Sequence, residues 1–150
     1  MTEPTRSRRI SGIGTILVWV YGVLALAATG RSVYQMIAHF SQAPLPYLLS
    51  ALAAVVYVLA TAALVVSGSA AWYRVAWAAV SFELAGVLVV GTLSVMAPDL
   101  FHADDTVWSG YGAGYYWIPL VLPFLGIWWL ATHRPAPERA TASSPAGVAG

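Results

Sequence analysis

Long uncharged apolar runs alternate with short stretches that hold nearly all the charge. The clearest run is Val75 to Ala97, VAWAAVSFELAGVLVVGTLSVMA, 23 residues with one charge, Glu83. At ~1.5 Å per residue it reaches ~34 Å, enough to cross a ~30 Å hydrocarbon core with some tilt. Gly12 to Gly30 is a second run of 19 uncharged residues, and Tyr47 to Val66 a third of 20. The fourth, Tyr115 to Thr132, has 18 residues with Pro119 and Pro123 inside it. The pattern predicts an all-α membrane protein with four transmembrane helices in one bundle, spanning about 12–30, 47–66, 75–97 and 115–132.

The stretches between the runs refine this picture. Residues 1–11 form a basic segment with Arg6, Arg8 and Arg9. Together with Gly12–Gly30 they also fit a secretory signal peptide, with Ala25-Leu26-Ala27 as a cleavage-like site. Trp19 and Tyr21 in mid-run, and the run's length, favour a retained first helix. Val33, Met36, Ile37 and Phe40 recur at helical spacing, so residues 31–42 either extend that helix or lie along the interface. Pro44 and Pro46 break it. The short 67–74 turn makes the second and third helices antiparallel neighbours. Residues 133–150 are rich in Pro, Ala and Ser and are expected to be disordered.

Composition turns the pattern into a class. The chain has 150 residues, 59% hydrophobic and 9% charged, with mean hydropathy +0.73. Soluble domains carry about 25% charge, so lipid must be the solvent for most of this surface. The absence of Cys excludes disulfides, thiolate metal sites, iron–sulfur clusters and thiol nucleophiles. The net charge of +1 says little, but its placement does. Six of the seven arginines fall on one side of the expected bundle, and only Arg31 falls on the other. That bias predicts a multi-pass protein of the cell membrane with both termini cytoplasmic.

Glu83 is the foremost candidate for function. It lies ~14 Å in from Arg74, near the bilayer midplane, where a charge costs roughly 2.5–3.5 kcal/mol on insertion scales. Its helical neighbours Ala76, Ala79 and Gly86 form a small-residue stripe that lets another helix approach. The same depth arithmetic brings Tyr21, Tyr57 and Pro123 to the level of Glu83, with the carbonyl that Pro123 frees at Pro119 nearby. Arg31 is too far away for an ion pair with it. Such an acid can couple protons or cations in a transporter or channel. It can equally, protonated or hydrogen-bonded, fix helix packing or dock on another membrane subunit. A single acid without a membrane-embedded base favours the packing and docking roles.

Other motifs carry less. His102, Asp104 and Asp105, with Asp99 and His39 on the same side, offer oxygen and imidazole ligands to a divalent cation, but at no dedicated spacing. Asp104 or Asp105 could instead cap a short helix before Thr106. His39, His102 and His133 sit near or outside the span ends, which argues against a haem between helices. The stretch from Trp108 to Trp117 is rich in Trp, Tyr and Gly. It suits the headgroup layer better than a nucleotide loop. No cofactor and no nucleic-acid partner is expected.

Four stretches, YGVLALAATGRS (21–32), PLPYLLSALAAVVYVLAT (44–61), VAWAAVSFELAGVLVVGTLSV (75–95) and DTVWSGYGAGYYWIPLVLPFLGIWWL (105–130), together resemble a group of small four-helix integral membrane proteins of GC-rich bacteria. The resemblance implies a bundle and supplies no catalytic residues. Small multidrug resistance transporters also use one membrane glutamate. Theirs lies in the first helix, whereas here Glu83 lies in the third, and the arginine bias opposes dual topology. The expected function is therefore non-enzymatic, as a homo-oligomer or an accessory subunit of a membrane complex. The alternative is a small transporter or channel using Glu83. Its partners would be the lipid bilayer and either itself or another membrane protein.

Overall fold

The computed structural model describes residues 12–66, 68–101 and 104–135. The basic segment 1–11, His102 and the tail beyond residue 135 lie outside them, as does the disorder expected of that tail. The described residues are helical, without strands: α1 (Ile13–Ala38), α2 (Pro44–Val65), α3 (Ala70–Met96) and α4 (Ile118–Thr132). Two 3₁₀ stretches, Pro98–Phe101 and Ser109–Tyr115, lie between α3 and α4. Helices α1, α2 and α3 are each long and apolar enough to cross a membrane. Ser109–Tyr115 and α4 make a further crossing only if the pair, bent by 99°, counts as one span.

Local chemistry explains the helix ends. α1 runs through Arg31 to Ala38, so the amphipathic stretch after residue 30 continues the first helix. Pro44 opens α2, where the fixed φ of proline suits the first turn and its missing N–H is not needed. The sequence pattern starts this span at Tyr47. The helix instead begins at Pro44, because proline suits a first helical turn, while α1 has already ended at Ala38. The Ser69 hydroxyl accepts a bond from the Trp72 N–H at 3.3 Å and caps α3, which starts five residues before the apolar run.

α4 departs most from expectation. Its helix has 15 residues, from Ile118, where the pattern predicts 18 from Tyr115. Tyr116 and Trp117 take left-handed backbone angles, φ 54° and 55°, which no helix can continue. At ~22 Å, α4 covers only part of α3, whose 27 residues span ~40 Å. The Tyr73 hydroxyl donates to the Leu130 carbonyl at 2.7 Å, so the start of α3 meets the end of α4. The ends at Ile13, Val65, Ala70 and Thr132 thus share one end of the bundle.

Residues 104–117 cover the other half of α3. Non-helical backbone at membrane depth is tolerated only where protein buries it and satisfies its polar groups. Thr106–Ser109 and Gly112 are buried in this way, whereas Ala113, Gly114, Tyr116 and Trp117 are exposed. Thr106 Oγ1 accepts from the N–H groups of Trp108 and Ser109, each at 3.1 Å, and Gly110 N–H donates to Ser94 Oγ at 2.8 Å. Two glycines of α3 admit the segment. A Cβ on Gly86 would stand 2.8 Å from the Trp108 indole, and one on Gly91 would stand 2.6 Å from the Tyr111 ring.

The core is built from Leu17 and Leu24 of α1, Ala53, Ala60 and Leu64 of α2, Val80 and Val87 of α3, and Leu130 of α4. The opposite faces are also apolar, with Ile16, Trp19, Val23 and Leu26 exposed on α1 alone. A helix apolar on every side needs an apolar solvent.

Candidate functional site

Two polar clusters stand out, one sealed inside the bundle and one open at the α1–α2 connection. The sealed cluster is built on Glu83. Its carboxyl is fully buried, and Oε2 accepts a 2.6 Å bond from the Tyr21 hydroxyl of α1. The Tyr21 ring packs at a tilt on Tyr57 of α2, with centroids 6.2 Å apart. Tyr57 does not bond Glu83. Its hydroxyl accepts from Trp108 Nε1 at 3.1 Å. The indole of Trp108 rests on Gly86, one turn beyond Glu83, so the cluster closes on the helix where it began. Glu83 Oε1 has no hydrogen-bond partner.

The small-residue stripe is divided between neighbours. Ala76 and Ala79 are buried, as is Val90 further along. Gly86 is half-buried, and what approaches it is the Trp108 ring, not a helix. The stretch from Trp108 to Trp117 also divides. Tyr116 and Trp117 are exposed, as a headgroup-layer role requires, whereas Trp108 is 1% exposed and belongs to the core. Pro119 and Pro123 are buried in α4. Gly126 of α4 lies close to Glu83's partner: a Cβ there would lie 3.4 Å from the Tyr21 hydroxyl.

The open cluster gathers residues distant in sequence. Arg31 donates to the Asp105 carbonyl, and its other terminal nitrogen lies 3.5 Å from the Tyr115 hydroxyl. The buried Tyr47 hydroxyl donates to Asp104 Oδ2 at 2.6 Å. Asp104 and Asp105 therefore do not cap the 3₁₀ stretch. Thr106 bonds its leading N–H groups, because its hydroxyl sits at the turn itself. A cavity of about 480 Å³ opens here, lined by Arg31, Gln35, His39, Gln42, Tyr47 and Asp104 among others. Among the described residues no group of three or more His, Asp or Glu is placed to hold a metal ion. His102 of the expected outer ligand set lies outside those residues.

Gln35 and Tyr47 were not singled out by sequence reasoning. A signal existed, because Arg31 and Gln35 are spaced by four on one face of α1 and His39 follows four residues later at its C-cap. The apolar periodicity of Val33, Met36, Ile37 and Phe40 is the stronger pattern over the same residues.

These features define a polytopic helical membrane protein with two buried or half-buried polar clusters. No family model, curated protein or solved structure matches the chain.

Proposed function

We propose that this chain is a non-enzymatic component of a bacterial cell membrane, working as a homo-oligomer or as an accessory subunit of a larger complex. Glu83 serves it as an internal lock between helices and is not offered to a partner. The observation that carries this role is the complete burial of Glu83 together with its bond to Tyr21 of the same chain. A docking acid would have to reach the bundle surface. Both termini face the cytoplasm, a sidedness supported by the arginine bias and by the common end shared by Ile13 and Thr132.

The test is a mild-detergent pull-down of a C-terminally tagged chain from its native membrane, wild type beside Glu83→Gln. The same stoichiometric partner, or the same self-assembly, is expected from both. A stable monomer without any co-purifying protein would overturn the proposal.

One observation favours a second function. The unpartnered Oε1 is a spare acceptor at the level where a transporter would couple protons or cations. In reconstituted vesicles this requires flux that Glu83→Gln abolishes. Unchanged flux removes the coupling role.

A further inference from the structure

The open cluster has the features of a ligand site. Gln35 is 7% exposed, lines the cavity, and leaves its side-chain Oε1 without a partner. An unmet amide oxygen in a buried place is unfavourable unless something satisfies it. His39 faces the same cavity, and its Nδ1 is likewise buried and unpartnered. Nε2 of the same ring is 3.4 Å from the Tyr34 hydroxyl.

The charges are arranged in opposition. Arg31 brings a guanidinium whose five N–H donors are not exhausted by two contacts. Asp104 brings a carboxylate whose Oδ2 is held by Tyr47. Both residues also line a second cavity of about 650 Å³. A simple anion would meet Asp104, and a simple cation would meet Arg31. A molecule carrying both charges meets a partner for each.

We propose that the cavity bounded by Arg31, Gln35, His39 and Asp104 binds a small zwitterion, a molecule with an ammonium group and an oxyanion only a few bonds apart. The oxyanion lies against Arg31. The ammonium group donates to Asp104, and rotation of the Gln35 amide, whose Oε1 is closed to solvent here, brings that unmet oxygen to it as well. The volume suits a molecule the size of an amino acid, with room for a modest side chain. Two sources share this chemistry, a free α-amino acid and an ethanolamine phospholipid headgroup.

The experiment measures thermal stabilisation of the full chain in mild detergent against a glycine titration. A second arm uses lipid nanodiscs containing phosphatidylethanolamine, with phosphatidylcholine nanodiscs as reference. Saturable stabilisation by glycine is expected if the source is soluble. Stabilisation only by the ethanolamine lipid assigns the site to a headgroup. Either result supports the site provided that Gln35→Leu and Asp104→Asn each weaken it at least tenfold. Asp104→Asn leaves an acceptor for Tyr47, so it remains informative if Gln35→Leu fails to fold. Three outcomes overturn the proposal: no response to either probe, equal response to acetate or methylammonium alone, and unchanged binding in both variants.

Discussion

The two polar clusters differ in how the chain disposes of its polar atoms. Around Glu83, three helices and the 104–117 segment converge, and the aromatic side chains that bond one another also fill the core. Around Arg31 and Asp104 the same kinds of group are present, but the packing stops short and leaves a cavity. A polar cluster sealed by its own chain fixes one arrangement of helices. A cluster left open keeps donors and acceptors for something else. Apart from the spare Oε1 of Glu83, the first is closed, and the second is not.

Removing Trp108 breaks the closed cluster most severely. Trp108→Ala empties a fully buried indole site and leaves the Tyr57 hydroxyl without its donor. A loss of roughly 3–5 kcal/mol is expected, read by unfolding in mild detergent. Gly86→Ala attacks the same contact from α3, since its Cβ would press on a rigid fused ring at 2.8 Å. About 1–3 kcal/mol should be lost. Combined with Trp108→Ala, the glycine substitution should cost much less than it does alone. Additive losses would show that Trp108 does not rest on Gly86.

Tyr21→Phe is the next largest. It leaves the Glu83 carboxyl fully buried without its bond, at a cost of roughly 1–3 kcal/mol. Glu83→Gln keeps an acceptor for Tyr21 and should cost clearly less. If Tyr21→Phe proves neutral, the carboxyl is satisfied elsewhere and the bundle is not locked at this point.

What was legible in the sequence follows the same division. The three long spans could be read because each apolar run comes close to or exceeds the ~30 Å hydrocarbon thickness and is bounded by charge, proline or a short polar turn. Tyr21 could be placed at the level of Glu83 by rise per residue alone, since both helices are regular from end to end. Tyr57, at the same level, bonds Trp108, because side-chain direction around a helix is not given by depth. The 104–117 segment could not be read. Its bend rests on left-handed Tyr111, Tyr116 and Trp117, residues whose types do not announce such angles. Trp108 had two homes available, the headgroup layer and the core, and only the void over Gly86 decides between them. The open cluster could not be assembled from the sequence, because no pattern in it brings Arg31 and Gln35 of α1 to face Asp104 and Tyr47.

The open cluster should yield smaller effects on stability. Tyr47→Phe removes a bond to a half-buried carboxylate, worth about 1 kcal/mol. Gln42→Ala, at the rim, should be smallest of all. Gln42 is exposed, and its backbone N–H bond to the His39 carbonyl at 2.8 Å does not involve the side chain. A change within about 0.5 kcal/mol is expected, because exposed positions away from packed features rarely give more. The comparison is sharpened by the contrast between this rim and the sealed cluster, measured in the same detergent and by the same unfolding assay. A loss at Gln42 approaching that at Tyr21 would mean that the α1–α2 connection is packed as tightly as the interior, and the distinction between a closed and an open cluster would fail.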